Sequence, residues 1–97
     1  MTDAQLIADL EATFPGVWAK PAVEYGLDSF KEGVWVAGEA PMPDGLPMFS
    51  TLCYDLEEFN GYVHSGLESW LKERGFELVC WDADVHFAVP LNGRLFD

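Results

Sequence analysis

In residues 54–75 the apolar side chains Phe59, Val63, Leu67, Trp70 and Leu71 recur at offsets of four, four, three and one. That spacing lines one side of an α-helix, so the segment predicts a helix with a core-facing stripe. Asp55, Glu57 and Glu58 stand at its start, where negative charge suits the helix dipole. Lys72 and Arg74 fall in its last turn, and Gly75 is a ready stop. Gly61 and Gly66 weaken its interior by up to ~1 kcal/mol each relative to Ala. A start at Asn60 is the alternative, with residues 55–59 as a separate turn.

The rest of the chain is read around that helix. Thr2 and Gln5 fit a capping box, and Leu6, Ile7, Leu10 and Phe14 give a second helical stripe that ends at Pro15-Gly16. Residues 17–31 read as irregular, with a short strand or extended arm at 23–25. Residues 33–38 alternate as a strand, with Val34 and Val36 on one face and Trp35 and Ala37 on the other. Three prolines and Asp44-Gly45 then make a loop with a turn at its tip. Residues 48–56 predict a strand that pairs with 33–38 as a hairpin. Residues 76–81 and 85–89 predict a second hairpin with a tight loop. The order α-β-β-α-β-β, with short links between strands, predicts an α+β fold. It is a single domain of 97 residues, one antiparallel sheet with two helices packed on it.

Motif chemistry is sparse. Asp82, Asp84 and His86 alternate, and His64 could complete a set of metal ligands. Aspartates there equally suit a hairpin loop, where they bond their own backbone. The expectation is therefore no metal and no cofactor. Cys53 and Cys80 sit among apolar neighbours and read as small buried hydrophobes, although their number allows a disulfide. Either could meet His64 or His86 as a nucleophile and base, but no hydrolase or phosphate-loop signature accompanies them. The chain is expected not to be an enzyme. Trp18, Trp35, Trp70 and Trp81 read as core, because base stacking calls for basic neighbours.

Charge is the strongest signal. Seventeen acids against five bases leave a net charge of −12. Such a chain repels nucleic acid and anionic lipid, and favours a basic partner. Solubility is the plainer account of the same charge. An acidic, helical N-terminus is unlike a signal peptide, and no run of about 18 apolar residues occurs. The expected location is cytoplasmic. Residues 32–71 hold seven acids and no Lys or Arg. Glu32, Glu39, Asp44, Asp55, Glu57 and Glu58 fall on a strand end, a loop tip and a helix start, places that can share one edge of a small domain. Duplex DNA carries one negative charge per roughly 1.7 Å, so a row of carboxylates can imitate its phosphates toward Lys and Arg.

In size, α+β character and acid excess, with Glu39, Asp44, Asp55, Glu57 and Glu58 as the phosphate-like track, the chain resembles the phage-encoded anti-CRISPR proteins. The likeness is to the small acidic DNA mimics that block type I surveillance complexes. It implies a bacterial-host cytoplasm and a Cas protein complex, of type I-F, as partner. It also implies occupation of the basic site where target DNA enters. Two other readings stand beside it: an immunity or antitoxin-type protein neutralising a basic toxin such as a nuclease, and a small metal-dependent enzyme built on Asp82, Asp84, His86 and His64.

Overall fold

A computed structural model describes residues 1–26, 32–38, 40–50, 56–82 and 85–91. Helix α1 (Asp3–Thr13) starts where the capping box predicts. The Thr2 hydroxyl accepts from the Gln5 amide at 3.1 Å, and the Gln5 side chain accepts from the Thr2 amide at 2.8 Å. Both bonds satisfy amides that the first helical turn leaves without a partner. Leu6 and Leu10 are fully buried on its inner side.

The chain then forms strand β1 (Trp18–Pro21), a 3₁₀ turn (Ala22–Tyr25) and strand β2 (Val34–Ala37). The extended arm expected at 23–25 is thus a 3₁₀ turn, and the strand lies a few residues earlier. Strand β1 pairs antiparallel with β2 in the register Trp18↔Ala37 and Pro21↔Val34. It is an edge strand, which is where a proline lacking its N–H is tolerated.

Strands β5 (Phe76–Asp82) and β6 (Val85–Pro90) form the hairpin the sequence predicts. The main sheet runs β1-β2-β6-β5, and all its pairs are antiparallel. Between β2 and 76–90 the chain makes a small ribbon of β3 (Phe59–Asn60) and β4 (Val63–His64), followed by helix α2 (Ser65–Lys72). The fold is α+β, with two helices and a mainly antiparallel sheet.

The hairpin expected between 33–38 and 48–56 does not form. Both edges of β2 are already taken, by β1 and β6. The described part of the second segment pairs with the ribbon instead: Phe49 bridges Val63, and the His64 amide donates to the Met48 carbonyl at 2.8 Å. Residues 51–55 lie outside the described residues.

Helix α2 is shorter than its apolar spacing implies. Phe59 and Val63 belong to the ribbon, and only Leu67, Trp70 and Leu71 of that stripe are helical. Gly61 takes φ +66°, a left-handed conformation open to glycine at little cost, and turns the chain between β3 and β4. Neither Glu57 and Glu58 nor Asn60 starts the helix; His64 caps it.

The two helices pack on one face of the sheet. Leu6, Leu10, Phe14, Leu67 and Leu71 meet Val34, Val36, Phe76 and Ala88 in the main core. Burying Leu67 and Leu71 stabilises the fold by about 1.5–3 kcal/mol each. On the opposite face Phe87 and Val89 gather with Trp35, Val79 and Tyr25 beneath the 3₁₀ turn. Trp35 and Trp70 are half-buried, whereas Trp18 and Trp81 are exposed, against the expectation of core positions. Each exposed tryptophan sits on an outer strand, β1 or β5, which has a sheet neighbour on one side only.

Candidate functional site

The loop of residues 40–50 is a turn within a turn. Pro41 bridges Pro47, the Met42 amide donates to Leu46, and the Gly45 amide donates to Met42. Asp44 stands at the tip, as predicted, with Gly45 beside it at φ +85°. Its Oδ1 accepts from the Leu46 amide at 3.0 Å, the local bond that favours aspartate in turns.

That turn leans against the start of α2. Asp44 Oδ2 lies 2.7 Å from His64 Nε2. The other ring nitrogen of His64, Nδ1, accepts from the Gly66 amide at 2.9 Å and caps the helix. The neutral imidazole with its proton on Nε2 satisfies both bonds at once. His64 is 7% exposed, so these bonds compensate a polar ring held among apolar groups. The Asp44 carboxyl is held below its ordinary value of 3.8, first by the His64 hydrogen bond and then by the Leu46 amide.

A groove of about 320 Å³ opens beside the pair, bounded by Thr13 and Phe14 at the end of α1, by Met42 and Pro43, and by Gly66 and Trp70 of α2. Its aromatic wall is held rigidly. Phe14 meets Trp70 edge-on at 5.2 Å, and the Arg74 guanidinium lies 3.6 Å from the centre of the Trp70 ring. Arg74 also donates from Nε to Asp9 Oδ2 at 2.7 Å and from Nη1 to the Trp70 carbonyl at 3.0 Å. The bond to Asp9 ties the end of α2 to α1.

The acids expected to form one track divide. Asp44, Glu57 and Glu58 come to the ribbon. Asp44 reaches it through His64, and the Glu58 carbonyl accepts from the Ser65 amide at 2.7 Å. Glu57 and Glu58 are exposed in the turn ahead of β3, not in a helical first turn as expected. The acid in the first turn of α2 is Glu68, whose Oε1 accepts from Asn60 Nδ2 at 3.2 Å. Glu32 is exposed at the other end of α1, next to Gly33, whose amide donates to Asp3. An 11-residue helix separates it from the groove by roughly 15 Å. Glu39 and Asp55 lie outside the described residues.

The alternative chemistry meets a different geometry from the one imagined. Both nitrogens of His64 are committed to hydrogen bonds, which leaves neither for a proton relay or a metal. His86 is buried and stacks on Phe49 at 4.2 Å. Asp84 and the Asp82 side chain lie outside the described residues, and among those described no three His, Cys, Asp or Glu gather as a metal site. Cys80 pairs with His86 across the hairpin, but it is exposed on the outer strand and not in the core as expected. Burial of the thiol, and then the charge of Glu68, push its pKa up, opposite to what a nucleophile needs. Cys53 lies outside the described residues. Among the described residues no helix is long and apolar enough to cross a membrane.

Three features escaped sequence reasoning: the His64 cap, the groove, and the exposure of Leu56 ahead of β3 and of Tyr62 in the ribbon turn. One signal was available, because Ser65-Gly-Leu-Glu68 has the form of a capping box and marks where α2 begins. No family model, curated protein or solved structure matches this chain.

Proposed function

We propose that the chain is a non-enzymatic inhibitor that occupies a basic DNA-binding site, in the manner of the anti-CRISPR DNA mimics that block a type I-F surveillance complex. The observation that carries this reading is the ribbon end. Glu57 and Glu58 stand exposed ahead of β3 next to Leu56, which is 40% exposed, and Tyr62 in the ribbon turn is 41% exposed. An aromatic and an aliphatic anchor beside carboxylates is the composition of a protein interface that meets cations. The net charge of −12 adds a long-range field that steers a basic partner toward it. Arg74 is engaged by Asp9 and lies over the Trp70 ring.

On this reading the partner is a Cas protein assembly in a bacterial cytoplasm, and nucleic acid is the competitor rather than the ligand. The test is competition between this protein and target DNA for a purified type I-F complex. The protein should displace DNA, and its affinity should fall steeply as salt rises. Glu57→Gln together with Glu58→Gln should weaken displacement while leaving the circular dichroism unchanged. Inhibition that is insensitive to both salt and the double substitution would exclude the ribbon as the contact.

A further inference from the structure

We propose that the groove beside Asp44 and His64 binds a small organic cation: an ammonium or amidinium carried on an aromatic body. This inference does not depend on the DNA-mimic reading. At about 320 Å³ the groove is at the small end of ligand-sized pockets. Phe14, Met42 and Trp70 give it apolar walls, and two of these are aromatic rings that favour a flat apolar body; Arg74 already lies over the Trp70 ring, so the ligand's charge is left to Asp44.

Asp44 gives the groove its polarity. Each of its carboxylate oxygens takes one donor, from Leu46 and from His64, so the group is held in one orientation. Each oxygen keeps accepting capacity for a further donor. In the tautomer described above the pair carries one negative charge, on Asp44. Arg74, which borders the Trp70 wall, is engaged by Asp9 at 2.7 Å. The hydrogen bonds from His64 and Leu46 hold the Asp44 carboxyl below the ordinary range, so it is ionised at neutral pH. A fixed anion at the rim of an apolar groove is complementary to a cationic head on an apolar body.

The experiment is an NMR titration of the whole chain with benzamidinium, following backbone amides and the Trp70 indole. Saturable shifts at Thr13, Asp44, Gly66 and Trp70 are expected. Asp44→Asn should weaken binding by at least about tenfold, and the neutral analogue benzamide should bind the parent protein more weakly by a similar factor. The benzamide comparison stands even where Asp44→Asn folds poorly. N-acetylarginine amide forms a second arm, representing a cationic side chain of a partner protein. Tighter binding of that probe than of benzamidinium would overturn a free aromatic cation as the occupant. Absence of saturable shifts with benzamidinium, or equal affinity for benzamide, would overturn the site.

Discussion

His64 holds Asp44 through Nε2 at 2.7 Å while its Nδ1 caps the first turn of α2 at 2.9 Å. One imidazole therefore joins a loop tip to a helix start, and the groove lies where they meet. His64→Ala should remove a cap and leave a void, lowering stability by about 1–3 kcal/mol in urea unfolding. His64→Asn should lose less, because asparagine is a strong cap. Equal losses for the two substitutions would show that the cap contributes little.

Acidification tests the same pair from the other side. The Asp44 pKa is depressed in the folded chain, so its contribution is present above the unfolded-state value and is lost as pH falls through the lower folded value. Asp44→Asn should melt below the parent at pH ~6, and the gap should close as pH falls below ~4. Melting curves across that range provide the check, and a gap that is constant with pH would contradict it.

Gly33 should tolerate no side chain. It takes φ +104°, and a Cβ there would lie 2.6 Å from the Ala88 carbonyl oxygen of the neighbouring strand. That oxygen belongs to the backbone of a central strand and cannot swing away. Gly33→Ala should cost about 2 kcal/mol or more in chemical denaturation, or prevent folding. Gly16→Ala is the control: it has a similar φ of +94° but no heavy atom within 4 Å of the added Cβ, so it should cost less.

Cys80 should be a slow nucleophile despite its exposure. Its thiol titrates above the ordinary value of 9.0, chiefly because of partial burial and secondarily because of Glu68. Alkylation by iodoacetamide at neutral pH should lag behind free cysteine and accelerate as pH rises past ~9. Peptide mass spectrometry reads this residue separately from Cys53. A rate at pH 7 equal to that of free cysteine would contradict the raised pKa.

Local chemistry was readable wherever a short segment satisfies itself. The Thr2–Gln5 box, the Asp44-Gly45 turn and the 76–90 hairpin need only near neighbours, and each appears where expected. The helix of residues 54–75 was legible in type but not in extent. Phe59 and Val63 keep helical spacing with Leu67 and are both buried, yet they stand on opposite faces of a ribbon, Phe59 across from His64 and Val63 across from Asn60. Apolar spacing reports which residues are buried, and a short hairpin can bury two of them on different faces where a helix would bury them on one. The candidate site was legible only in part. Asp44, Glu57 and Glu58 collect at the ribbon, while Glu32 lies at the far end of α1.

The sequence alone determined the class of fold, both helix stops at Gly16 and Gly75, the charge of −12 and the acidity of residues 32–71. These follow from composition and from interactions a few residues long. Tertiary structure decided which strand lies beside β2, which histidine meets Asp44, and that a groove opens between the end of α1 and the start of α2. Such pairings join residues 20 to 65 positions apart, as in His64–Asp44 and Arg74–Asp9. Their partners are chosen by which surfaces remain uncovered once the core has closed, and local spacing carries no record of that choice.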